Sequence, residues 1–261
     1  TKFLYYEIYP PPQNVLIFLI IFSIGTCFSQ NSNILTLSPQ GVLEQNFDRY
    51  GNSYSLWQIN INQAIGGNSA STKKFTLYFE NGSGMENPND EIHIARRTVL
   101  MKAISDFEKF IKLPPTNQKV NLWIRDIKSV SPFADSNLSC GSSFYNVAKS
   151  ATGSIIDGEV FKSLLSGKNT YKNVVNIPNK FYHGFLSFNF EALNDTPITW
   201  HTNLSTPPNP ESYDLYTAVL KEFTHLLGLC SLINAEGTSI FGNDYQYFSR
   251  YDKFLRNENR S

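Results

Sequence analysis

The amino-acid sequence predicts an α+β fold in which helices pack on one β-sheet. Three observations favour it: a strand-like segment precedes the first long amphipathic helix, several strand-like segments follow that helix, and a second strong helix comes late in the chain. The chain has 261 residues, of which 41% are hydrophobic, enough for one large domain or for two lobes around a shared cleft.

The charges of the chain balance, because Lys and Arg number 22 and Asp and Glu also number 22. No field of the whole molecule therefore draws the protein to nucleic acid or to an anionic membrane. We expect no nucleic-acid partner.

Residues 1–29 are predicted to be an upstream segment followed by a signal peptide. The apolar run 15–25 is shorter than the roughly 20 residues that span a bilayer, and it fits the hydrophobic region of a signal peptide. The small residue Ser29 suggests cleavage after it. The sequence thus predicts a secreted protein with no stable membrane insertion after cleavage, with a lipid anchor at Cys27 or a buried strand as alternatives.

The first half of the remaining chain contains one clear strand and one clear helix. Residues 30–67 are rich in Asn, Ser, Gln and Gly, and should form loops and edge structure. Residues 75–79 alternate apolar and other side chains, which is typical of a strand. In residues 89–112 apolar side chains recur every three or four positions, which predicts an amphipathic helix that stops before Pro114.

The second half continues with further strands. Residues 120–127 and 184–190 are strand-like, as is the shorter run 174–177, while 158–166 could form a short helix. A linker rich in Pro and Asn, residues 206–210, then leads to the last strong helix.

That last helix is predicted over residues 212–228. Ser212 or Asp214 would be its N-cap, and Gly228 would end it. Its broad apolar face indicates a buried helix.

Three polar residues interrupt this helix: Lys221, Glu222 and His225. The string Lys221-Glu-Phe-Thr-His-Leu-Leu-Gly resembles the HExxHxxG active-site helix of the metzincin-like zinc peptidases, with Lys in the place of the first His. Residues 213–255 as a whole are similar to secreted bacterial proteins of this HExxH superfamily.

The resemblance implies a zincin-like fold: a mixed β-sheet with packed helices, including an active-site helix around residues 213–227. Residues 30–261 would form a single zincin-like domain whose C-terminal end is cut short. In the family, two histidines one helical turn apart hold a Zn²⁺ ion, and the Glu beside them is the general base for the metal-bound water. The resemblance thus implies a zinc cofactor and a peptide or protein substrate or ligand.

The family roles transfer to this chain only in part. Glu222 matches the catalytic acid/base, and His225 matches the second metal ligand. Lys221 stands at the first ligand position, where a protonated amine offers no lone pair and places a positive charge beside the metal. Either the site loses its zinc, or burial removes the proton of Lys221.

The third ligand is also missing from its usual place. The family has a His or Asp three residues after the Gly, where this chain has Ser231. None of the 4 histidines lies beyond His225, which leaves Asp244 and Asp252 as candidate metal ligands downstream. No methionine follows the helix to form the family's Met-turn.

Plainer interpretations stand beside these. A KExxH string also occurs in ordinary amphipathic helices, but the apolar surroundings and the flanking resemblance favour the zincin interpretation. His183 and His201 are expected to be structural histidines, with a position near a cleft as the alternative for either. Cys140 and Cys230 could form one disulfide or remain two independent buried thiols.

These observations predict a degenerate or inactive secreted zinc-metallopeptidase homologue, a pseudoenzyme in which Lys221 removes or reduces activity. A non-catalytic extracellular domain that binds peptide or glycan, or that serves adhesion, on a zincin-like scaffold is the alternative. The third interpretation is an unrelated secreted α+β protein.

Overall fold

The computed structural model describes residues 36–37, 43–61, 68–111, 119–130, 136–168, 170–173 and 181–255. The helices are α1 Glu91–Phe110, α2 Glu159–Ser166 and α3 Leu215–Leu226. The strands are β1 Thr36–Leu37, β2 Leu43–Phe47, β3 Ser53–Tyr54, β4 Ser69–Ser71, β5 Phe75–Phe79, β6 Val120–Asp126, β7 Ser139–Ser143, β8 Tyr145–Ala148, β9 Ser150–Ile155, β10 Gly184–Phe188, β11 Ala192–Leu193, β12 Thr196–Pro197, β13 Trp200–His201, β14 Tyr213–Asp214 and β15 Tyr245–Phe248.

The central sheet has five strands in the order β4-β5-β6-β10-β7. Strands β5, β6 and β10 run parallel to one another, while β4 and β7 are antiparallel to their neighbours and lie at the two ends of the strand order. The fold is therefore a mixed α+β arrangement, as the order of elements in the sequence predicts.

Successive side chains along the central strands point to opposite faces of the sheet, and both faces are apolar. On β6, Leu122 and Ile124 belong to the core beneath the helices, while Trp123 between them belongs to the core on the opposite face. All three helices contribute to the first core. Phe223 of α3 illustrates the packing, since its ring lies 5.0 Å from that of Phe75 and 5.1 Å from that of Phe107.

The second face is covered by the segment that contains β2 and β3. Tyr54 and Ile59 from this segment are buried against the central strands, and Tyr54 packs on Phe144 with ring centroids 5.0 Å apart. The sequence predicts loops and edge structure for residues 30–67 but does not predict that large side chains from this segment close one side of the core.

A third apolar cluster joins the C-terminal residues to the same layer. It contains Phe47 of β2, Tyr145 of β8 and Phe241, with the ring centroids of Phe47 and Phe241 5.0 Å apart. Strand β15 pairs in parallel with β9 beside this cluster. Residues after α3 thus pack back onto the N-terminal part of the chain.

The strongest periodic patterns in the sequence agree with the structure. The expected helices 89–112, 158–166 and 212–228 correspond to α1, α2 and α3, and the expected strands 75–79, 120–127 and 184–190 correspond to β5, β6 and β10. The expected strand 174–177 and the signal segment 1–29 lie outside the described residues. Among the described helices, none is long and apolar enough to cross a membrane.

Candidate functional site

Helix α3, the motif helix, begins and ends where its sequence provides caps. The Asp214 Oδ2 atom accepts a hydrogen bond from Thr217 N at 3.0 Å, which identifies Asp214 as the N-cap. At the other end, Gly228 N donates to His225 O at 3.0 Å. Gly228 has a φ of +90°, a conformation that glycine adopts without a steric penalty.

The motif helix lies directly against the edge strand β7. A Cβ atom built on Gly141 would lie 2.9 Å from Glu222 Cβ and 3.0 Å from Glu222 O, so the absence of a side chain at Gly141 permits this close approach. Beside it, Ser139 Oγ donates a hydrogen bond of 2.9 Å to Glu222 Oε1. The helix and the edge strand are thus joined at Glu222.

Glu222 is sealed from solvent, with a side-chain exposure of 0%. The Lys221 Nζ atom lies 3.1 Å from Oε1, and a guanidinium nitrogen of Arg49 lies 3.9 Å from Oε2. Oε2 accepts no hydrogen bond within the described part of the chain. The carboxylate therefore lies between two cationic side chains.

Lys221 approaches this carboxylate from the solvent side, because 53% of its side chain is exposed. The alternative in which burial removes the proton of Lys221 requires an enclosed amine, and such an enclosure is not observed. Lys221 forms an ion pair with its neighbour Glu222.

His225 is buried and held in one orientation. Its Nδ1 atom lies 3.0 Å from Leu229 O, and since a carbonyl oxygen can only accept, Nδ1 carries the proton. Burial, with the positive charge of Arg49 as the next cause, lowers the pKa of His225. The imidazole is thus neutral near pH 7, with the lone pair on Nε2.

Arg49 is the residue of this site that the sequence did not reveal. Its backbone N donates to Ser142 Oγ of β7 at 2.7 Å, and its guanidinium donates to Tyr50 Oη at 2.8 Å. It is the only basic residue between positions 31 and 67. This isolation marks Arg49 as unusual, but the sequence does not show that Arg49 contacts Glu222.

The loop that carries Arg49 is fixed by its own hydrogen bonds. The side chain of Asp48 is buried and accepts from Tyr50 N at 2.9 Å and from Asn52 N at 3.0 Å. Gly51 has a φ of +83°, and a Cβ there would lie 2.8 Å from Ile240 O. The turn between β2 and β3 therefore presents Arg49 in a defined position.

The two candidate aspartates make other contacts. Asp244 is exposed and pairs with Lys149, whose Nζ lies 3.0 Å from its Oδ2. Asp252 is buried, and its Oδ2 accepts from Leu232 N at 3.0 Å and from Ser249 N at 2.7 Å, so it organises the backbone after α3. Within the described ranges, no three His, Cys, Asp or Glu side chains are grouped so that they could hold a metal ion.

Cys140 and Cys230 are free buried thiols and do not form a disulfide. The Cys230 Sγ atom lies 3.5 Å from Tyr145 Oη. Burial raises the pKa of Cys140 and of Cys230 above the ordinary thiol value, so both stay protonated near pH 7.

His183 and His201 make contacts within the fold. The buried ring of His183, just before β10, accepts a hydrogen bond at Nδ1 from Asn121 N of β6 at 3.0 Å. His201 Nε2 lies 2.9 Å from Thr206 O in the loop before α3. These contacts fit structural roles for both residues, while His201 also lines the cleft described next.

A cleft of about 310 Å³ lies between α1, the first turn of α3 and the loop after β13. Lys102, His201 and Tyr216 line it. Lys221, Glu222 and His225 do not line it, so this cleft is separate from the candidate site.

Comparison with known proteins adds no relative. No protein-family model matches the chain, and no match is found among the curated proteins or among the solved structures.

Proposed function

We propose that this protein is an inactive homologue of the zinc metallopeptidases, a secreted zincin-like domain whose motif helix no longer supports hydrolysis by a zinc-activated water. The observation that carries the proposal is the state of Glu222. The carboxylate that would act as general base is fully buried and paired with Lys221 Nζ at 3.1 Å.

The arrangement of the fold supports a zincin-like assignment. A KExxH helix packs beneath a mixed sheet, next to an antiparallel edge strand, and its Glu222 is hydrogen-bonded to Ser139 of that strand. The family motif requires this proximity, because the metal and the base must face a polypeptide substrate at the sheet edge. A motif helix on a remote convex surface would argue against the assignment.

The side chains around Glu222 do not suit a zinc ion. His225 offers a lone pair at Nε2 and a second ring nitrogen fixed by a carbonyl, which is how a ligating histidine is oriented. The positive charges of Lys221 and Arg49 oppose a divalent cation beside Glu222, however, and zinc sites need three protein ligands besides the water.

The proposal predicts that the purified chain does not hydrolyse polypeptides through this site. We expect no cleavage of fluorescently labelled casein above background, and no difference between wild type and Glu222→Gln, a nearly isosteric variant that lacks the base. Zinc titration by calorimetry should show no binding. Casein hydrolysis that disappears in Glu222→Gln, or on addition of a zinc chelator, would overturn the proposal.

Peptide binding without cleavage is a second candidate, favoured by strand β7. Phe144 N donates to His183 O, so in this antiparallel register the backbone N–H and C=O groups of Ser139 and Gly141 point away from β10. None of the described strands pairs with that edge. An extended peptide could add there as a further strand.

The binding candidate predicts a specific footprint. On addition of reduced, carboxymethylated lactalbumin as an unfolded polypeptide, we expect the amide hydrogens of Ser139 and Gly141 to exchange more slowly with solvent, while those of the paired strand β5 do not change. Binding that leaves the amides of β7 unchanged would exclude this edge as the binding site.

A further inference from the structure

The motif helix and the loop between β2 and β3 meet at a largely enclosed pair of opposite charges. A guanidinium nitrogen of Arg49 lies 3.9 Å from Glu222 Oε2, and their side-chain exposures are 18% and 0%. An ionised carboxylate removed from water is strongly destabilised unless a positive charge or hydrogen-bond donors compensate it. Compensation of Glu222 must therefore come from inside the fold.

The two neighbouring cations differ in how much they can supply. Lys221 is closer to the carboxylate, at 3.1 Å, but its side chain is 53% exposed, so solvent and salt screen its interaction. Arg49 is farther away but is largely enclosed, where the effective dielectric is lower and charges interact more strongly. Burial thus favours Arg49 as the principal partner.

The position of Arg49 is also fixed by contacts other than the one with Glu222. Its backbone is bonded to Ser142 of β7, its guanidinium to Tyr50, and the turn around it is held by the buried side chain of Asp48. Ser142 belongs to the same strand whose Ser139 donates to Glu222. The strand therefore aligns both the carboxylate and its counter-ion.

We infer that Arg49 is a positioning residue for the motif helix, the built-in counter-cation that pairs with Glu222 and fixes it against β7. The guanidinium supplies, from within the chain, the positive charge that a metal-binding helix would receive from a bound ion. The inference goes beyond the proposed function and does not depend on it, since it concerns charge compensation within the fold and not hydrolysis.

A double-mutant cycle tests the pairing on the full chain. Urea unfolding is measured for wild type, Arg49→Met, Glu222→Gln and the double variant. Arg49→Met should reduce the equilibrium constant for folding. We expect this reduction to be at least about tenfold smaller in the Glu222→Gln background than in the wild-type background. The matched control Lys221→Met, which removes the exposed cation, should show a coupling to Glu222→Gln of only about twofold.

A second comparison separates charge from packing. Arg49→Lys keeps the positive charge, whereas Arg49→Met removes it. In urea unfolding we expect Arg49→Lys to recover most of the stability lost in Arg49→Met, and to recover little when it is combined with Glu222→Gln. A loss of packing alone would give the same recovery with and without Glu222→Gln.

Each of these measurements can support or overturn the pairing of Arg49 with Glu222. Additive effects in the cycle, or equal recovery by Arg49→Lys with and without Glu222→Gln, overturn the inference. If Arg49→Met does not fold, recovery of folding in Arg49→Met combined with Glu222→Gln supports it, and failure of that double variant overturns it. Unfolding is measured independently of casein cleavage, so failure here is distinguishable from failure of the proposed function.

Discussion

Gly141 determines how closely the motif helix approaches the edge strand. An added Cβ would lie 2.9 Å from Glu222 Cβ and 2.9 Å from Leu186 Cδ2, closer than packed atoms tolerate. Replacing Gly by Ala usually stabilises a protein by about 0.4–1 kcal/mol where the backbone allows it. Here overpacking should dominate, so we expect Gly141→Ala to lower the free energy of urea unfolding by about 1–3 kcal/mol.

The reverse exchange provides the control for this prediction. Ala151 is exposed on β9, where Ala→Gly should cost roughly 0.5–1 kcal/mol through the flexibility of glycine alone. An added methyl group would thus destabilise the protein at Gly141 while its removal destabilises it at Ala151. Unchanged or increased stability of Gly141→Ala would show that α3 does not rest on this strand as described.

Single residues of the site differ in how far local sequence predicts them. Lys221, Glu222 and His225 stand out because polar residues interrupt an apolar helix at the spacing of one turn. Arg49 stands in a segment with no periodic pattern, and its contact with Glu222 depends on how the loop and the helix meet in three dimensions. Local patterns carry the first kind of information and not the second.

At the scale of elements, helices α1 and α3 are predictable because their apolar faces repeat with the helical period and their ends carry caps. The sequence leaves Ser212 and Asp214 as alternative N-caps for α3, and the structure selects Asp214, whose carboxylate accepts from Thr217 N. The Ser212 hydroxyl instead donates to Asn209 O at 3.0 Å.

The sequence does not predict strand β7, and the reason is physical. Its sequence, Ser139-Cys-Gly-Ser-Ser, has no alternation of apolar and polar residues, although four of its five residues are buried. Small residues are needed there because the motif helix on one side and the turn that carries Arg49 on the other approach it closely. The packing that makes β7 part of the site thus also removes the pattern by which a strand is recognised.

At the scale of the whole molecule, three apolar clusters are joined through residues far apart in sequence. Phe47 from the first strands packs on Phe241 after the motif helix, and β9 pairs with β15. The order of strong elements is enough to predict an α+β fold, but the sequence does not specify which distant segments cover the second face of the sheet, because the covering segment 43–61 is largely polar and irregular.

Buried histidines should make the stability of the whole fold depend on pH. Burial lowers the pKa of His183 to about 4 from an ordinary 6.5, and protonation of Nδ1 would break its bond with Asn121 N. The unfolded chain therefore binds a proton below pH 6.5 that the folded chain does not bind until about pH 4. The stabilisation is complete above pH 6.5 and falls by about 3 kcal/mol as the pH drops to 4.

The lowered pKa of His225 acts in the same direction, so the contribution of His183 must be isolated by substitution. Urea unfolding at pH 7.5 and pH 5.0 should show a smaller acid-induced loss of stability in His183→Gln than in wild type, because Gln does not take up a proton in the unfolded chain. His201→Gln, at a half-buried position of β13, is the control, and it should lose as much stability on acidification as the wild type because it leaves His183 and its bond with Asn121 in place. If His183→Gln and His201→Gln lose the same stability between the two pH values, burial of His183 is not what couples this fold to acid.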